Sequence, residues 1–91
     1  MPDPEVTPQD AGHAAHDDVQ VVDARGLSCP MPVLELAKAI DDIEVGSRIR
    51  LLATDPAAKV DVPVWCRMQR QRLDAQYLDD HVWTFDVQRT R

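Results

Sequence analysis

Hydrophobic and polar positions follow two different periods along the chain, and the changes of period divide it into elements. Val19–Asp23 is a short β-branched run with Val19 and Val21 on one face, closed by the turn signal Arg25-Gly26, and it predicts a first strand. From Pro30 to Asp41 the apolar residues Val33, Leu34, Leu36, Ala37 and Ile40 form a stripe at helical spacing, opposed by Glu35, Lys38 and Asp42. Arg48–Thr54 alternates again, with Ile49, Leu51 and Ala53 on one side and arginines on the other, until Asp55-Pro56 breaks the strand. A second helix reads from about Asp61 to Arg72, with Pro63 in its first turn and Val62, Trp65, Cys66, Gln69 and Leu73 on one face; Arg67 and Arg70 point elsewhere. Leu73–Leu78 and Val82–Val87 alternate on either side of Asp79-Asp80-His81 and predict a closing hairpin, with Trp83, Phe85 and Val87 sharing a face.

The order β-α-β-α-β-β with right-handed crossovers implies an α/β fold of two layers, a four-stranded mixed sheet carrying both helices on one face. The chain has 91 residues, enough for one core, and a domain so small is marginal without further support. Residues 1–18 have three prolines and no aromatic side chain, the composition of a disordered tail, so the domain is expected to span 19–91. The net charge of -6 is concentrated there: the tail holds five acids and no Lys or Arg, leaving 11 acids against 10 bases in the remainder. That acidity argues against DNA and against generic RNA binding. Arg48, Arg50, Lys59, Arg67, Arg70 and Arg72 could form a basic docking surface, but no aromatic residues interleave with them, and an ordinary charged exterior is the better reading.

Two cysteines, at 29 and 66, allow at most one bridge, so a reducing cytoplasm is the expected home. No leader pattern and no apolar run of membrane-spanning length occurs, so a soluble protein without membrane attachment is expected. His13 and His16 have helical metal-ligand spacing but no companion ligands, so neither a metal nor another cofactor is expected.

The chemistry concentrates at Cys29-Pro30-Met31-Pro32. A residue before proline is pushed out of the α region, which sets Cys29 just outside the helix, while Pro30 and Pro32 fall in a first turn whose amide hydrogens lack partners anyway. The positive end of the helix should favour the thiolate of Cys29, Arg25 could add a second positive charge, and the stiff Pro-Met-Pro segment should hold the sulfur outward. A Cys29 that merely packs beneath the helix is the plainer alternative, and two prolines after a strand and a Gly26 turn weigh against it. Cys66, on an apolar face with Val62 and Trp65, reads as a core thiol; a redox pair with Cys29 stays open, because spacing alone does not give their separation.

With the Asp23-x-x-Gly26 lead-in, Cys29-Pro30-Met31-Pro32, the Ala53-Thr54-Asp55-Pro56 strand end and Asp61-Val62-Pro63-Val64-Trp65-Cys66, the stretch from Val19 to Gln88 resembles the TusA/SirA-like sulfur-carrier family. The resemblance implies a fold like the C-terminal domain of translation initiation factor three. It also implies that Cys29 carries sulfane sulfur as a persulfide, with Arg25, Gly26, Pro30, Met31 and Pro32 supporting it. Donors implied are a cysteine desulfurase or a rhodanese; acceptors are other sulfur-relay proteins, in tRNA thiolation, cofactor assembly or sulfur oxidation. Many relatives have basic residues where Glu35 and Ala37 stand and Gly-His where Arg70-Gln71 stand. The alternative expectation is a regulatory protein-binding module of the same fold that transfers no sulfur; RNA binding rests on analogy of fold alone.

Overall fold

The computed structural model describes residues 19–91, so the expectations for the acidic tail and for His13 and His16 lie outside the described residues. The elements are β1 (Val19–Ala24), α1 (Met31–Asp42), β2 (Arg48–Ala53), α2 (Ala58–Gln69), β3 (Arg72–Asp79) and β4 (Val82–Gln88). They form a four-stranded sheet in the order β1-β2-β4-β3, parallel between β1 and β2 and antiparallel elsewhere. The expected α/β two-layer fold is therefore the observed one.

Period-2 alternation gives the sheet one apolar face. Ala24, Ile49, Leu51, Ala53, Phe85 and Val87 point inward and form a single core with Leu36, Ala39 and Ile40 of α1 and Ala58, Val62 and Cys66 of α2. Both helices are thus on that face. Val19 and Val21 do share a face, but it is the open one, where they lie beside Arg48 and Arg50; the inward positions of β1 are Val22 and Ala24. On α1 the buried row is Pro32, Leu36, Ala39 and Ile40, and Leu34, expected in the stripe, is exposed.

The second helix begins and ends three residues earlier than its hydrophobic pattern predicts. At its start, Asp55 accepts the backbone N–H of Ala57 on a carboxylate oxygen and that of Ala58 on its carbonyl, nucleating the turn before Asp61 is reached. Pro63 then falls in the second turn, where it has no N–H to give the carbonyl of Lys59; the Gln76 side-chain amide donates to that oxygen instead, at 3.2 Å. At its end, Arg70 takes a left-handed conformation (φ 57), its N–H donates to the Arg67 carbonyl and that of Gln71 to the Cys66 carbonyl, the pair of bonds of a Schellman cap. Such a cap releases the chain directly into β3.

Asp80 and His81 (φ 50 and 66) make the two-residue hairpin turn between β3 and β4, with the left-handed conformations that match strand twist. A bulge between Leu73 and Ala75 shifts the facing of β3, so that Gln76 lies opposite Phe85 and reaches α2.

Candidate functional site

Because β1 and β2 run parallel with Ala24 paired to Ala53, their carboxyl ends lie side by side, and the loops leaving them lead into α1 and α2. Crevices at the carboxyl ends of parallel strands are where α/β sheets hold their ligands. Here polar bonds tie the two loops together: the Gly26 N–H donates to Thr54 Oγ1 (2.9 Å) and the Cys29 N–H to Asp55 Oδ2 (2.8 Å). Since the other Asp55 oxygen accepts from Ala57 (3.0 Å), one carboxylate fixes both the cysteine and the start of α2. Those N–H groups, Ala57 first and Cys29 second, hold the Asp55 carboxyl below the usual carboxylate range. Gly26 is needed for its conformation (φ 81) and not for space, since a Cβ there would meet nothing.

Cys29 stands exposed at the mouth of this junction. Its peptide bond to Pro30 is cis. Pro30 is the N-cap of α1, one position earlier than expected, Met31 is the first helical residue and 40% exposed, and Pro32 is buried. The Sγ thiol donates to Oδ2 of Asp61, in the first turn of α2.

This partner reverses the expected acidity. The Cys29 thiol is pushed above its ordinary pKa, first by the hydrogen bond to Asp61, then by loss of hydration and by the negative charges of Asp61 and Asp55. The helix end offers few free N–H groups here, for a local reason. Its positive pole is made of unpaired N–H groups, and here Pro30 and Pro32 have none while that of Met31 is given back to the Ser28 carbonyl (2.8 Å). The prolines that shape the cysteine loop thus remove two of the N–H groups that could otherwise face it. Nor does Arg25 supply a positive charge: its guanidinium forks onto Asp23 through Nε (2.8 Å) and Nη2 (2.9 Å), which holds the Asp23 carboxyl down at about 2.

Cys66 is 2% exposed within the core, and burial pushes its thiol up to about 11. Both cysteines are free thiols. Part of the mid-chain positive charge is neutralised: Arg50 forks onto Asp86 and Arg72 pairs with Asp74, while Lys59 lies over the Trp83 ring at 5.8 Å. Among the described residues no group of three His, Cys, Asp or Glu side chains is gathered to hold a metal, and no helix is long and apolar enough to cross a membrane.

Asp55 and Asp61 are the site residues for which the linear pattern predicts no role. Asp55 carries a readable signal, an Asx residue three positions before a helix. Asp61 heads the Asp61–Cys66 stretch that carries the family resemblance, but nothing local ties it to Cys29, 32 positions away; the packing of α2 beside α1 brings the two together.

Residues 20–89 match the family described as sulfurtransferase TusA. The sulfur carrier protein TusA of Buchnera aphidicola is 32% identical over 73 residues, which cover 80% of this chain and 92% of that protein. A protein of Archaeoglobus fulgidus, named provisionally as a sulfur carrier, is 45% identical over 67 residues, covering 72% of this chain and 87% of its own. The crystal structure of a SirA-like protein from Desulfitobacterium hafniense shares the fold with a TM-score of 0.71, covering 81% of this chain and all of that one at 18% identity. A presented cysteine at the Cys-Pro-Met-Pro start of the first helix, the matching fold and these relatives agree: the chain belongs to the TusA sulfurtransferase family.

Proposed function

We propose that this protein is a sulfur carrier that accepts sulfane sulfur on Cys29 as a persulfide and passes it to a partner protein. The observation that carries the reading is an exposed thiol whose backbone is fixed by Asp55 and whose sulfur is held on Asp61 at the junction of two loops, in a chain of this family. A carrier needs a sulfur that a second protein can reach, and it needs little else. Exposed apolar side chains around the site, Met31 and Leu34 on α1 and Val60 and Val64 flanking Asp61 on α2, provide ground on which a donor or acceptor can seat itself.

In loading, the Cys29 sulfur attacks the outer sulfur of a donor persulfide. A new S–S bond forms, the donor's S–S bond breaks, and its electron pair leaves with the donor sulfur as thiolate. In unloading, an acceptor cysteine attacks the outer sulfur on Cys29 in the same way, so no external oxidant or reductant is required. The donors proposed are a cysteine desulfurase or a rhodanese, and the acceptors are proteins of a sulfur relay in a cytoplasmic setting. Incubation with a desulfurase and cysteine, or with a rhodanese and thiosulfate, is expected to add one reducible sulfur atom to the Cys29 peptide by mass spectrometry. Equal loading of a Cys29→Ser variant would overturn the reading.

A further inference from the structure

The immediate surroundings of Cys29 present a chemical difficulty. A nucleophilic cysteine is ordinarily activated by positive charge, yet the charged groups acting on this sulfur are Asp61 from α2 and Asp55 from the loop before it, and Arg25 from its own loop is held on Asp23. The two carboxylates are not equivalent. Asp55 has one oxygen on the Cys29 N–H and the other on the Ala57 N–H, a structural placement, whereas Asp61 meets the thiol itself.

We propose that Asp61 is a catalytic residue of sulfur transfer, the base that takes the Cys29 proton as the sulfur attacks and the acid that returns it when the sulfur leaves. The proposal rests on the reading of Cys29 as the carrier atom. Moving the proton along the existing hydrogen bond from Sγ to Oδ2 creates a thiolate beside a neutral carboxylic acid, so the total charge of the pair stays at one negative and the repulsion that disfavours a free thiolate disappears. Loading then balances. Cys29–SH and a donor R–S–SH give Cys29–S–SH and R–SH; the Cys29–S bond to the outer sulfur forms, the donor S–S bond breaks, and the proton held by Asp61 passes to the departing donor thiolate. In unloading, Asp61 receives the proton of the attacking acceptor thiol and returns it to Cys29 as that sulfur departs. The carboxylate that keeps the empty carrier protonated is thus also the one that activates it.

A general base makes the rate of loading depend on pH in a way that a residue merely holding the loop in place does not, which separates this role from a structural one. Loading by glutathione persulfide is followed by mass spectrometry of the Cys29 peptide from about pH 5.5 to about pH 9.5, in the wild type, Asp61→Asn and Asp61→Glu, with thermal melts checking that each is folded. The donor's own ionisation affects all three alike, so the ratio of rates is read. At about pH 6 Asp61→Asn is expected to load on the order of 100-fold more slowly than wild type, the magnitude of a lost general base, and the gap should close as pH rises and the lone thiol ionises unaided. Asp61→Glu should keep much of the wild-type pH profile. A wild-type to Asp61→Asn ratio that is constant across the pH range, or that is near one at pH 6, would overturn the proposal. If Cys29→Ser loads as well as wild type, the carrier reading itself fails; if Cys29 is required and the ratio is flat, only the role of Asp61 does.

Discussion

The two cysteines sit in contrasting regions, yet both hold their protons more tightly than a free thiol. Cys66 does so because it is packed in the core, where a thiolate would lose its hydration. Cys29 does so chiefly because a carboxylate accepts its hydrogen, at a surface position open to partners. The comparison teaches that acidity alone does not separate an exposed thiol from a buried one in this fold. What separates them is access and the group that holds the proton: a packed core around Cys66, and the Asp61 carboxylate beside an exposed Cys29.

The largest effect that tests this contrast is on sulfur loading. Cys29→Ser should abolish it, while Cys66→Ala should load at a near-normal rate; loss of loading in a folded Cys66→Ala protein would break the comparison. Next comes alkylation of the native protein by iodoacetamide near pH 8. Cys29 should be modified at least ~100-fold faster than Cys66, whose labelling waits for the core to open. Similar labelling rates by peptide mapping would show that Cys66 is not sealed.

Removing the carboxylate sharpens the contrast further. In Asp61→Asn the ultraviolet titration of the Cys29 thiolate should move to lower pH, since the carboxylate hydrogen bond that chiefly raises it is gone, while Cys66 continues to titrate near 11. A smaller effect belongs to stability. The folded-state value of Cys66 lies above that of the unfolded chain, so its contribution is complete below the ordinary thiol range and is lost as pH rises toward about 11. Cys66→Ala should cost ~1–2 kcal/mol at neutral pH, from lost packing, and should show a shallower fall of melting temperature at alkaline pH than wild type.

The smallest effect concerns the turn that ends the Cys66 helix. Arg70 is a non-glycine residue held at φ 57, so Arg70→Gly should stabilise by ~0.5–1 kcal/mol in thermal melts and slow Cys66 labelling without changing that of Cys29. An unchanged melting temperature would mean that the cost of the left-handed arginine is met by its neighbours, among them Thr90, whose hydroxyl donates to the Arg70 carbonyl.

Strands were the most legible elements. Arg48–Ala53 alternates so regularly that its inward face, Ile49, Leu51 and Ala53, was readable outright. In β1 the pattern places Val19 and Val21 on one face without saying which face is buried; the tertiary structure turns that face outward, because Ala24, small and apolar, fits beside Ala53 in the core. The second helix starts earlier than the pattern predicts, because Pro63 stands in its second turn and not its first. In the structure Asp55 starts the helix early and Gln76, far along the chain, takes the bond that Pro63 leaves vacant.

The sequence by itself determined the element order, the two-layer α/β fold, the place of Cys29 before the first helix and the burial of Cys66, because periodicity, proline geometry and local turn chemistry are properties of neighbouring residues. Only the tertiary structure decided the electrostatics of the sulfur. Arg25, four residues from Cys29, spends its charge on Asp23, and Asp61, 32 residues away, takes the thiol hydrogen. Charges act through distance in space, and the packing of α2 beside α1, which sets that distance, is written in no local stretch of the chain.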